Sequence, residues 1–179
     1  MAVVHIEKTR LDGVLLIKPP VFEDIRGCNV MLFDEREYAE ALAAHGVEGL
    51  HFVKDDYSFS RQHVLRGLHG DNSTWKLIAC QLGSFYLVVI NNKPDHPQYR
   101  QWTAFTLSEH NRWQVLVPAG FVNGHLVMSE TAIFYYKQSA YYNPGGEVSL
   151  VWNDPELGIW WPVQHPIVSQ RDFFGRLVG

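Results

Sequence analysis

Cysteine is scarce in this chain: Cys28 and Cys80 are the only two among 179 residues. Two thiols cannot build the disulfide framework that staples small secreted domains, so reduced cysteines in a cytoplasmic protein are expected. A basic excess is also missing. Lys and Arg number 15 against 19 Asp and Glu, for a formal charge of −4. No cationic stripe is therefore available to displace counterions from a nucleic-acid backbone. No apolar run is long enough to span a bilayer. The opening MAVVHIEKTRLDGVLLIKPP is interrupted by Glu7, Lys8, Arg10 and Asp12, unlike the apolar core of a secretory leader. The nine histidines are scattered, with no His-x-His pair and no carboxylate at a spacing that would complete a metal site. Nucleophile elbows and phosphate-cradling glycine loops are lacking too. No metal or other cofactor is expected. A small anionic ligand stays open, since it needs only two or three local cations.

What is present is apolar and aromatic: 46% hydrophobic residues and 13% Phe, Trp and Tyr. A chain of this length can bury a sizeable core, and one domain spanning residues 1–179 is expected. One helix is predicted, from Asp34 to Ala44. Asp34 and Glu37 have capping-box spacing, Phe33 and Tyr38 can form the staple, and Gly46 ends it. Gly13 to Lys18 reads as a strand stopped by Pro19-Pro20, and FEDIRG (residues 22–27) as a charged turn. The rest is a series of short strands rich in Val, Ile and aromatics: 51–57, 64–69, 76–81, 85–91, 102–107, 114–117, 124–128, 132–138 and 148–152. Turn residues such as Asn91-Asn92 and Asn143-Pro144-Gly145-Gly146 separate them. Many short strands with a single short N-terminal helix predict an all-β sandwich or jelly roll.

The chemistry concentrates in VLRGLHGD, residues 64–71, which sets Arg66, Gly67 and His69 among apolar neighbours. Strand parity places Arg66 and His69 on opposite faces unless a bulge at Gly67 re-aims one of them. The same parity puts Ala132, Phe134, Tyr136 and Gln138 on one face of a later strand.

The pieces FEDIRG, FVKDDYS, VLRGLH, WKLIAC, LSEHNRWQVLVPAGF, VMSETAIFYYK, YYNP, WNDPELGIWWP and VSQRD occur in order from Phe22 to Asp172. In sequence and spacing the chain resembles the dTDP-4-dehydrorhamnose 3,5-epimerase family, metal-free cupin jelly rolls acting on nucleotide-linked 4-keto sugars. The resemblance implies a double-stranded β-helix fold and a catalytic set of His69 as base, Asp172 as its carboxylate partner, Tyr136 as the opposing acid and Lys76 at the substrate oxygen. It implies diphosphate contacts by Arg26 and Arg66, and binding contacts by Lys54, Asp56, Asn123 and Glu147. It also implies a cytoplasmic homodimer working in bacterial surface-polysaccharide sugar biosynthesis.

The residue types suit the reaction. A C4 ketone acidifies the hydrogens at C3 and C5, an imidazole can take one near neutral pH, and a carboxylate fixes its tautomer. A cation meets the developing enolate oxygen, and a phenol across the ring can return the proton.

The chain departs from the family's spelling in four places. RGLHYQ or RGLHFQ becomes RGLHGD, GFAHGF becomes GFVNGH, FVQDN becomes FVKDD, and an Asp usual in the strand before Asn91 becomes Leu87. Absence of an aromatic at Gly70 is expected to open space beside the base. The HGD and GF-x-N spellings are similar to a branch acting on GDP-linked 4-keto heptoses. Two other readings are carried: inversion at C3 only or C5 only, and a sugar-binding cupin without catalysis.

Overall fold

The computed structural model describes residues 3–175. Among them, thirteen strands and two α-helices occur in chain order: β1 His5–Lys8, β2 Leu15–Lys18, β3 Val21–Asp24, β4 Gly27–Val30, α1 Glu35–Ala43, β5 Lys54–Arg61, β6 Leu65–Gly70 and β7 Lys76–Leu82. Then follow β8 Ser84–Asn91, β9 Trp102–Ser108, β10 Gln114–Val117, β11 Phe121–Val127, β12 Thr131–Gln138, β13 Val148–Ser149 and α2 Gln170–Phe173. A six-stranded sheet ordered β1-β2-β10-β7-β12-β5 faces a five-stranded sheet ordered β13-β6-β11-β8-β9, with every strand pair antiparallel. This is the jelly roll.

Three apolar layers hold it together. Between the sheets, Phe85, Leu87 and Val89 of β8 meet Ile78, Val115, Val117 and Phe134 of the other sheet. On the outer face of the larger sheet, Tyr38 and Leu42 of α1 cover Ile17, Leu77 and Leu116. On the outer face of the smaller sheet, Leu150, Leu157 and Trp161 cover Leu65, Val88 and Leu126. Each large side chain so buried stabilises by about 1.5–3 kcal/mol. That third layer also fixes the course of the C-terminal segment. Trp161 donates to the Trp152 carbonyl at 2.9 Å, and Trp102 to the Leu157 carbonyl at 3.0 Å.

The predicted helix forms, one residue tighter at each end. Asp34 caps it by accepting from the backbone of Arg36 and Glu37, Phe33 lies 5.0 Å from Tyr38, and Gly46 follows with φ +78°. Three features differ from expectation. FEDIRG is not merely a turn: β3 and β4 make a two-stranded hairpin that pairs only with itself. Its strands are four residues long and mostly exposed, too short and polar for alternation to stand out. β1 was not predicted, and a second helix, α2, joins the first. α2 is capped by Ser169, whose hydroxyl accepts from the Asp172 backbone at 3.1 Å. Ser169-Gln170-Arg171-Asp172 has the spacing of a capping box, but four residues carry no helical period. Boundaries also moved: the strand expected from 51 to 57 runs Lys54–Arg61, and that expected from 148 to 152 is only Val148–Ser149.

Candidate active site

His69 and Arg66 stand on the same short strand, β6, and both face a cavity of about 560 Å³ between the two sheets. An irregularity makes this parity work. On β11, Asn123 pairs with His69 and His125 with Arg66, so Gly67 and Leu68 together stand against Gly124 alone. That extra residue is a bulge, and it re-aims one of the two side chains. Gly67 makes it with φ +114°, and a Cβ there would meet Gly124 Cα at 2.6 Å. Any other residue would collide with the neighbouring strand.

Asp172 reaches the same point from the far end of the chain. After the Trp161 layer the backbone runs beside β6, with Ile167 donating to the His63 carbonyl at 2.8 Å and accepting from Leu65 at 2.9 Å. α2 then turns Asp172, whose side chain is 6% exposed, against His69: Oδ1 lies 2.8 Å from Nε2. At that separation the carboxylate is placed to fix the tautomer of the imidazole. Burial works to raise the Asp172 carboxyl. The His69 imidazole, the Gly67 backbone N–H and Ser169 outweigh it and hold it below the ordinary carboxylate range.

The opposite wall belongs to the six-stranded sheet. Tyr136 of β12 and Lys76 of β7 both line the cavity. Burial raises the Tyr136 phenol, as do the charge and hydrogen bond of Asp56 and the charge of Glu147, against an opposing effect of Arg66. The phenol is thus protonated near neutral pH, the state an acid requires. Lys76 Nζ donates to the His69 carbonyl at 3.3 Å and to Asn123 Oδ1 at 3.1 Å. Its burial pushes the ammonium pKa down, opposed by Asp71 and Glu147.

The binding candidates divide. Lys54, Asp56, Arg66, Asn123 and Glu147 all line the cavity. Lys54 is ion-paired to Asp56, Arg66 Nε donates to Ser60 Oγ at 3.0 Å, and Glu147 pairs with Arg171 at 2.6 Å. Arg26 does not join them. It sits on the exposed β3–β4 hairpin with its guanidinium clasping Asp24 at 2.5 Å.

Several lining residues had not been singled out as site residues. Gln138 follows from the parity of β12, and Arg171 from its place beside Asp172. His125 is fully buried, stacked on Phe134 with ring centroids 4.1 Å apart. Burial and the neighbouring Arg66 are the main causes lowering its pKa, to about 3, so its ring is neutral. Asp71 proves to be a turn builder, accepting from the backbones of Ser73 and Thr74 at 2.7 Å each.

The expectation that Gly70 opens space beside the base is corrected. A Cβ there would lie 2.1 Å from the Phe121 carbonyl oxygen, so the missing side chain admits the neighbouring strand and not a larger sugar. Leu87 is fully buried in the intersheet core.

Against known proteins, residues 8–177 match the family model described as dTDP-4-dehydrorhamnose 3,5-epimerase. The chain is 39% identical over 169 residues to the enzyme of that name from Pseudomonas aeruginosa, covering 93% of this chain and 91% of the relative. It is 37% identical over 169 residues to that from Salmonella typhimurium, covering 92% and 90%. Among solved structures it is similar to dTDP-6-deoxy-D-glucose-3,5-epimerase from Legionella pneumophila in complex with dTDP-4-keto-L-rhamnose. The TM-score there is 0.91 at 33% identity, over 97% of this chain and 92% of that one. The Bacillus anthracis dTDP-4-dehydrorhamnose 3,5-epimerase with TDP and pyrophosphate bound gives 0.91 at 32% identity, over 98% and 100%.

Proposed function

The chain belongs to the dTDP-4-dehydrorhamnose 3,5-epimerase family, and from that premise we propose how its residues perform the family's reaction. The activity is an isomerisation: epimerisation at C3, C5 or both of a nucleoside-diphosphate-linked 4-keto sugar. His69 removes the proton next to the ketone, and Asp172 holds the imidazole and stabilises the imidazolium. Lys76 donates to the C4 oxygen as it becomes an enolate, where charge appears. Tyr136 returns a proton from the other side of the sugar ring. One observation carries this assignment: the His69–Asp172 contact stands on one sheet and Tyr136 on the other, with a single cavity between them. Inversion needs removal on one face and delivery on the opposite face, and a merely sugar-binding cupin has no use for that pairing.

Arg66, Lys54, Asn123 and Glu147 line the path to the catalytic pair and are the binding residues of this reading. Arg66 meets the diphosphate, since a guanidinium fork suits phosphate oxygens. Arg26 belongs to a different protomer's site. Its hairpin stands clear of the cavity in its own chain, and β5 is an edge strand carrying exposed Tyr57 and Phe59. Such an edge invites pairing with a second copy, and in a homodimer the hairpin of one protomer would serve its partner. The chain works as one catalytic domain, and no helix among the described residues is long and apolar enough to cross a membrane. Its proposed place is the cytoplasm, on a pathway making surface-polysaccharide sugars.

The test is proton NMR in heavy water with a panel of dTDP- and GDP-linked 4-keto sugars. Loss of the C3 or C5 signal identifies the substrate and the centre that reacts. His69→Ala should abolish exchange at every centre while retaining nucleotide binding, because a general base commonly contributes about 10²–10⁴-fold. A variant keeping exchange within tenfold of wild type would overturn the assignment of the base.

A further inference from the structure

Asp56 on β5 is the direct cross-strand partner of Tyr136 on β12, and both side chains face the cavity. Directly opposed residues of an antiparallel pair bring their Cβ atoms within about 4.5–5.5 Å, so register alone makes the carboxylate a neighbour of the phenol. Asp56 is itself held. Lys54, two residues away on the same face, is ion-paired to it, and Gln138 Nε2 donates to its Oδ2 at 2.8 Å. Gln138 is in turn the cross-strand partner of Lys54. The Lys54 and Asp56 side chains are 35% and 33% exposed, which sets the pair at the solvent edge of the cavity.

We propose that Asp56, braced by Lys54 and Gln138, is a positioning residue for Tyr136: it accepts the phenolic O–H between turnovers and sets its direction for proton delivery, and it does not contact the nucleotide. The inference rests on the reading of Tyr136 as the proton donor. A carboxylate already engaged by an ammonium and an amide, and facing the phenol across the strand pair, is a poor contact for a diphosphate of like charge. Its charge also favours the protonated phenol over the phenolate, adding to burial in raising the Tyr136 pKa.

The charged and titratable groups lining the cavity with the phenol are Lys54 and Asp56 from β5, Lys76 from β7, Arg66 and His69 from β6, Asp71 from the β6–β7 turn, His125 from β11, Tyr142 and Glu147 from the segment before β13, and Arg171 and Asp172 from α2. Asp56→Asn deletes one negative charge from that set and leaves its cations, so the phenolate becomes easier to form. Lys54→Gln deletes a cation beside the carboxylate and acts in the opposite sense.

The experiment measures pH–rate profiles of inversion and of deuterium exchange, with KM, for wild type and both variants. The substrate is whichever dTDP- or GDP-linked 4-keto sugar the wild-type enzyme turns over. The alkaline limb of the inversion profile should move to lower pH in Asp56→Asn and to higher pH in Lys54→Gln. Inversion should slow more than exchange in Asp56→Asn, with KM within about twofold of wild type. A merely structural role predicts no such reversal of sign, and Lys54→Gln keeps the test available should Asp56→Asn fold poorly. If Asp56→Asn raises KM and leaves the limb in place, the carboxylate is a nucleotide contact and the inference fails. Tyr136→Phe separates this from its premise. Should that variant keep inverting, the donor assignment is wrong; should it stop inverting while neither Asp56→Asn nor Lys54→Gln moves the limb, only the role of Asp56 is wrong.

Discussion

Tyr136→Phe takes one oxygen from the wall facing His69 and leaves its surroundings in place. The ring keeps its tilted contact with Phe134, centroids 5.2 Å apart. Asp56 keeps Lys54 and the 2.8 Å bond from Gln138, so no bare charge is stranded. The structural cost is then one ordinary hydrogen bond, about 0.5–1.5 kcal/mol, which in a chain of this size lowers Tm by roughly 1–6 °C. The chemical cost is far larger and selective. A positioned acid contributes about 10²–10⁴-fold, or roughly 3–5 kcal/mol of barrier at 1.36 kcal/mol per decade. Only delivery of the second proton carries that loss, because His69, Asp172 and Lys76 still form the enolate. His69 must then return a proton from the side it attacked. In heavy water the variant should place deuterium beside the ketone at close to the wild-type rate while inverting about 10²-fold or more slowly. Single-turnover proton NMR, read for both isotope content and configuration, separates the two. Equal slowing of exchange and inversion would refute the assignment and make Tyr136 a residue that merely orients the substrate.

Three further outcomes follow from the same site. Asp172→Asn should cut exchange and inversion together by about 10²-fold or more without unfolding the chain, since the carboxylate orients the base and stabilises its cation; near wild-type activity would break the pair. Because the folded state holds the Asp172 pKa below its ordinary 3.8, its ionisation stabilises the fold fully above that value and ceases to do so as pH falls through the lower one. The stability gap between wild type and Asp172→Asn should therefore narrow on acidification in that window, as read by denaturant titration at several pH values. Arg66→Lys keeps the charge but loses the fork and the 3.0 Å bond to Ser60. It should weaken binding of the free nucleoside diphosphate about tenfold by calorimetry, and unchanged affinity would show that Arg66 does not meet the diphosphate.

How much of this was legible in the sequence depended on whether a feature was periodic. The alternation that put Phe134, Tyr136 and Gln138 on one face survives intact, because β12 is eight residues long and paired on both sides. The helix was legible because Asp34, Phe33, Tyr38 and Gly46 each act locally. The β3–β4 hairpin and α2 were not, since elements of four residues are fixed by what they touch. Arg66 and His69 mark the limit most clearly. Their spacing left opposite faces or a bulge as alternatives, and only the partner strand, with Gly124 alone against Gly67 and Leu68, decides between them. Gly70 misled for the same reason: a missing side chain reads as space until the Phe121 carbonyl is found filling it. Arg26 stood in a charged turn whose spacing gave no distance to the cavity, and the structure sets it on the exposed hairpin against Asp24.

The sandwich is itself an argument about mechanism. Inverting a carbon next to a ketone requires two proton-transfer groups that stay on opposite sides of a flat enolate and do not exchange places. Side chains on one flexible loop could not guarantee that. Two facing sheets can, because each wall is anchored by its own apolar layer. β6 is backed by Leu150, Leu157 and Trp161, whose segment also delivers Asp172 to His69. β7 is backed by α1, with Tyr38 and Leu42 against Leu77, and β12 is hydrogen-bonded along it. A mutation that loosens either outer layer should therefore slow deuterium exchange and inversion together, since the base stands on β6 while both the cation Lys76 and the acid Tyr136 stand on the facing sheet.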